Sequence, residues 1–75
     1  MPGLHKRSFR LAGHRTSVAL EPEFWAALET LAAARGLAVG AIVTDIDAAR
    51  APGEALASLV RLTILRSLIL TVQQL

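Results

Sequence analysis

Two short stretches near the start of the chain alternate between apolar and polar side chains. In residues 8–11, Phe9 and Leu11 fall on one side, with Ser8 and Arg10 on the other. In residues 16–20, Val18 and Leu20 share one side while Ser17 and Ala19 share the other. A period of two marks a half-buried strand. The apolar positions are odd in the first stretch and even in the second, so the phase changes between them. A strand changes phase only through a bulge or a turn, and Ala12-Gly13-His14 lies where one is needed. The second strand is predicted outright; the first either pairs back on it or orders only on binding.

The period then lengthens to that of a helix. Glu21-Pro22-Glu23 suits a helix start, because proline at the first position loses no hydrogen bond and acids favour the positive end of the dipole. Phe24, Leu28 and Leu31 form an apolar stripe that Trp25 and Ala32 widen, and Gly36 ends the helix with Arg35 in its last turn. A second helix is predicted over residues 40–49, with Ile42, Val43 and Ile46 on its apolar face and Asp45 and Asp47 directed elsewhere. Ala51-Pro52-Gly53 breaks it. A third helix runs from residue 54 to the C-terminus. Its apolar residues, from Leu56 through Leu62, Leu65 and Ile69 to Val72, cover most of the circumference. Such a helix demands burial in a subunit interface or in lipid.

The pattern therefore predicts a mainly α fold with a short β ribbon at its start. One strand or one small hairpin leaves edge N–H and C=O groups unpaired. Pairing with the same strand of a second copy satisfies them and predicts a two-fold homodimer, with a tetramer as the alternative. Size points the same way. A chain of 75 residues buries a modest share of its surface, and its 53% apolar content exceeds what so short a soluble chain needs. With no cysteine to form disulfides, oligomerisation is the remaining staple. Residues 1–7 are predicted as a flexible basic tail, 8–51 as the core, and 52–75 as a helix contributing to the oligomer interface.

Charge adds a functional hint. The net charge of +2 conceals a basic N-terminal arm: Lys6, Arg7, Arg10 and Arg15 occur in the first 20 residues, without one acid. All the acids, from Glu21 to Glu54, lie in the helical body. A basic arm on an acidic body suggests a polyanionic partner. The first residues lack an apolar run of signal-peptide length, so a cytoplasmic location is expected.

Other chemistry finds little footing. His5 and His14 do not have the spacing of a metal site, and Asp45 and Asp47 point in different directions on a helix. His14 and Ser17 lack an orienting acid, so no catalytic triad is expected. The sequence thus predicts no enzyme, no cofactor and no metal.

The run Gly13-His14-Arg15-Thr16-Ser17-Val18-Ala19-Leu20-Glu21-Pro22-Glu23-Phe24-Trp25, followed by Leu28, Ala32, Gly36-Leu37, Ile42-Val43 and Ile46-Asp47, resembles the ribbon-helix-helix superfamily. More narrowly, it is similar to a small bacterial family with a Gly-His-Arg-Thr-Ser strand and a Glu-Pro-Glu-Phe-Trp helix start. The resemblance implies an intertwined homodimer, β-α-α plus a C-terminal third helix, that acts as a repressor-like transcription regulator. Its ribbon, built from both chains, lies in the DNA major groove, which admits a two-stranded ribbon. It implies DNA contacts from the outward positions Arg15, Ser17 and Ala19, with phosphate contacts from Lys6, Arg7 and Arg10. The start of the second helix, at Gly40, adds backbone N–H groups. It also implies a dimer core of Val18, Leu20, Phe24, Trp25, Leu28, Ile42 and Ile46. Two positions depart from the superfamily: Ala19 replaces a polar reading residue, and Ala38-Val39-Gly40 lacks the usual Ser or Thr before the second helix.

Three alternatives compete with this reading. A helix-turn-helix would place the second helix in the groove, but residues 41–47 are apolar or acidic, and phosphate would repel them. A membrane span by the third helix must carry Arg61 and Arg66 near its middle, at roughly 2.5–3.5 kcal/mol each. The stronger alternative is an interaction module in which residues 55–75 recruit a protein partner or a membrane surface, with weak or no DNA binding.

Overall fold

The computed structural model describes residues 3–74. Strands β1 (His5–Leu11) and β2 (His14–Leu20) precede helices α1 (Pro22–Arg35), α2 (Val39–Ala48) and α3 (Leu56–Gln73). The expected order holds. The two strands pair with each other, antiparallel, from Leu11↔His14 at the turn to His5↔Leu20 at the open end.

The phase change is resolved by the tightest turn available. Ala12 and Gly13 both have positive φ, 50° and 82°, as a two-residue type I′ turn requires. Leu11 and His14 then face each other, so odd positions of β1 share a face with even positions of β2. Phe9, Leu11, Val18 and Leu20 turn inward together.

Two expectations change here. The first strand begins at His5, so residues 5–7 of the predicted basic tail are ribbon; residues 1 and 2 lie outside the described residues. Their side chains are polar on both faces, and no alternation could reveal them. The second strand also finds its partner in its own chain. The sheet remains two-stranded, so each strand keeps one open edge.

Helix α1 starts where Pro22 fixes the backbone; the N–H groups of Phe24 and Trp25 donate to the Glu21 carbonyl at 2.9 and 3.2 Å. It ends in a Schellman motif: Gly36, at φ 67°, donates to Ala33, and Leu37 donates to Ala32 at 2.9 Å. Trp25, Leu28 and Ala32 are its deepest residues, while Phe24 and Leu31 are only partly buried. The stripe is thus rotated from the one centred on Phe24, Leu28 and Leu31.

Helix α2 starts one residue earlier than expected and buries Ile42 and Val43, with Ile46 partly covered. After it, Arg50 binds the Asp47 carboxylate through Nε at 3.1 Å and the Glu54 carbonyl through Nη1 at 3.0 Å. The Glu54 carboxylate turns back to accept the Ala51 N–H at 2.8 Å. Committed to this loop, Glu54 does not enter α3, which therefore begins at Leu56 rather than at residue 54.

The core joins Leu11, Val18 and Leu20 of the ribbon to α1, to Ile42 and Val43 of α2, and to Leu56, Val60 and Ile64 of α3. Each fully buried aliphatic side chain contributes about 1.5–3 kcal/mol relative to exposure. Only the first half of α3 shares in this. Beyond Ile64 its large apolar residues, Leu65, Leu68, Ile69, Leu70 and Val72, are exposed.

Candidate nucleic-acid interface

The hairpin register decides which side chains face solvent together. Lys6↔Ala19, Ser8↔Ser17 and Arg10↔Arg15 are the three pairs whose side chains leave the core. All are exposed except Ala19, which is half-buried. In a two-residue hairpin the pair closing the turn is hydrogen-bonded, so the outward pairs are the non-hydrogen-bonded ones, where side chains approach most closely. The hydroxyl oxygens of Ser8 and Ser17 accordingly lie 3.5 Å apart. The same geometry opposes Arg10 and Arg15 directly, an arrangement that disfavours the folded ribbon. Lys6 makes a third cation, and no acid shares this face among the described residues.

Arg7 is placed differently from Lys6 and Arg10. It lies on the inner face opposite Val18, its guanidinium 4.4 Å from the centre of the Trp25 ring. Its Nη1 donates a long, 3.5 Å hydrogen bond to Glu29 Oε2. Trp25 in turn donates Nε1–H to the His5 carbonyl at 2.8 Å, tying α1 to the open end of the ribbon. Trp25 is buried beside Phe9, so it is core and offers no face to a base.

Gly40 also lies behind the ribbon. A Cβ there would stand 3.9 Å from Phe9 Cδ1, which places the start of α2 against the inner face. Ala38, before α2, provides no side-chain hydrogen bond to the helix N-terminus. Of the residues expected at a dimer core, Val18, Leu20, Trp25, Leu28 and Ile42 are buried within one chain, and Phe24 and Ile46 are partly buried there.

Sequence reasoning missed two features. Ser8, on the polar side of its strand but absent from the expected contacts, stands opposite Ser17, a pairing that only the register reveals. Arg61, read as a cation on an apolar helix, donates from Nε and Nη2 to Glu21 Oε1 at 3.0 and 2.8 Å, and stands 5.6 Å from the centre of the Phe24 ring. This contact clamps α3 to the junction of β2 and α1. The Glu21 carboxyl is held below its ordinary value, first by a backbone N–H hydrogen bond and then by Arg61. A contact across 40 residues leaves no local signal in a sequence.

A family profile described as ribbon-helix-helix domain matches residues 4–68. The chain belongs to the ribbon-helix-helix family. The match begins just before β1 and ends within α3, so it includes the ribbon, α1, α2 and the greater part of α3. Searches of curated proteins and of solved structures found no match. The ribbon-helix-helix fold is a non-enzymatic, DNA-binding one, and its members are generally dimeric transcription regulators. No group of three or more candidate metal ligands occurs among the described residues.

Proposed function

We propose that this ribbon-helix-helix protein is a cytoplasmic, homodimeric transcription regulator that presents the outward face of its β1–β2 hairpin to the DNA major groove. One observation carries the reading. Lys6, Arg10 and Arg15 gather on one solvent-facing side of a two-stranded ribbon that no acid among the described residues shares, although two of them repel each other there. A polyanion relieves that repulsion.

The dimensions agree. Strands about 4.8 Å apart, with their side chains, fit a groove about 12 Å wide. The hairpin of a single chain already supplies such a ribbon. Arg10 and Arg15 reach guanine edges or phosphates, Ser8 and Ser17 offer hydroxyls that can donate or accept, and Lys6 meets the backbone. Ala19 offers only a methyl group, so discrimination among bases rests on the arginines. Arg7, held over Trp25, supports the ribbon from behind and is left out of these contacts.

Selection of bound fragments from random duplex DNA tests the reading. Enrichment of a short motif, lost when Arg10 and Arg15 are both replaced by alanine, is the expected result. The exposed second half of α3 favours a second reading, an interaction module with little DNA affinity. It predicts no enrichment and equal behaviour of the double variant.

A further inference from the structure

The centre of the ribbon's outward face holds two hydroxyls among cations. Ser8 and Ser17 are exposed and directly opposed, their oxygens 3.5 Å apart. That is longer than an ordinary O–H···O contact, so both hydroxyls keep most of their bonding capacity. Lys6 and Arg10 stand two residues to either side of Ser8, about 7 Å away along the strand, and Arg15 lies diagonally across on β2. None of these three cations has an acidic partner among the described residues, whereas Arg7, Arg50 and Arg61 each pair with a carboxylate.

We propose that the Ser8 hydroxyl is a phosphorylation site whose modification takes the ribbon off DNA. The inference rests on the proposed function for its consequence and on the hairpin alone for the site. Access supports it. Strand β1 is extended from His5 to Leu11 with one edge unpaired, so Ser8 can be offered to an enzyme's cleft in strand form. Lys6 and Arg10 beside it suit a kinase with an acidic cleft. Ser17 is the poorer acceptor, because Arg15 is the one charged residue within three positions of it.

The phosphoryl donor is a nucleoside triphosphate. Ser8 Oγ attacks the γ-phosphorus, and the new O–P bond forms as the bond from that phosphorus to the β-phosphate oxygen breaks. The nucleoside diphosphate leaves, and the hydroxyl proton passes to a base of the kinase.

The product changes the face in two ways. A phosphoserine carries a charge of about −1.5 to −2 and three acceptor oxygens. Among Lys6, Arg10 and Arg15 it cancels more than half of their charge, and it bridges the two arginines that repel each other. Folding gains. Duplex binding loses, since DNA phosphate then meets a phosphate at the centre of the ribbon.

Incubating the full chain with ATP and a serine/threonine kinase selective for basic substrates tests the site. One phosphoryl group is expected, located at Ser8 by fragmentation mass spectrometry and absent from Ser8→Ala. The phosphorylated chain should melt about 4 °C higher or more, and should bind duplex DNA at least about 100-fold more weakly. A chain made by synthesis with Ser8 already phosphorylated should lose most of that thermal gain when it carries Arg10→Ala with Arg15→Ala. A surface phosphoserine without these partners would keep whatever gain it had. An unmodified Ser8, a phosphoryl group on Ser17 instead, a phosphorylated chain that melts no higher, or undiminished DNA affinity overturns the proposal. If the native chain binds no duplex, yet phosphorylation still stabilises it through the arginines, the site stands and its reading as control of DNA falls with the proposed function.

Discussion

Arg10 and Arg15 are register partners across the hairpin, side by side on its outward face and one residue from the turn. Like charges directly opposed in a ladder cost stability, so the pair works against folding of the free ribbon. Replacing either arginine by alanine is therefore expected to stabilise the free protein by about 0.2–1 kcal/mol, less at high salt. The same change is expected to weaken duplex binding. Urea midpoints and fluorescence anisotropy on one preparation check both signs; a variant that loses stability together with affinity contradicts this account of the pair.

The turn makes a second prediction. Ala12 sits at φ 50°, a left-handed conformation that costs a residue with a Cβ about 1–2 kcal/mol. Asparagine before glycine is the preferred type I′ sequence. Ala12→Asn is expected to raise stability by about 0.5–1 kcal/mol, and Gly13→Ala to lower it by a similar amount or more. Thermal unfolding of the two variants measures the difference.

Much of this was legible in the sequence because apolar periodicity reports what is buried. Phe9 and Leu11, then Val18 and Leu20, announce two strands and a change of phase, and Gly36 announces the end of α1. Residues 5–7 carried no such signal, since His5, Lys6 and Arg7 are polar whichever way they point. Arg7 was grouped with Lys6 for its charge, yet neighbours on a strand face opposite ways, and register sends Arg7 to Trp25. The partner of β2 was left open between β1 and a second copy, and β1 takes one of its edges. An edge deficit says that a strand needs a neighbour, not which chain provides it. Apolar content could not say which part of α3 is covered within one chain, where only Leu56, Val60 and Ile64 are buried.

The core is thin enough for one deletion to be decisive. Leu28 is fully buried at the meeting of the ribbon and helices, and Leu28→Ala is expected to cost about 2–5 kcal/mol. In a domain of this size that is a large share of the total. A native-like denaturant midpoint would show that the core is held by something other than this packing.

Acid should act through Glu21. A carboxyl held below its ordinary value of 4.5 stabilises the fold above that pH, and the contribution is lost as pH falls through the lower, folded value. Stability is thus expected to be level near neutrality and to decline below about pH 4.5, with a smaller decline in Glu21→Gln. Denaturation midpoints measured from pH 7 to pH 3 give the comparison.

The salt dependence of duplex binding tests the role of the ribbon's outward face most directly. Six cations from two hairpins meeting phosphate predict a log–log slope of about −5. The variant with Lys6, Arg10 and Arg15 all replaced by alanine should bind far more weakly, with a slope near zero. Equal affinity and equal slope for the native chain and this variant would contradict the assignment of DNA to the hairpin.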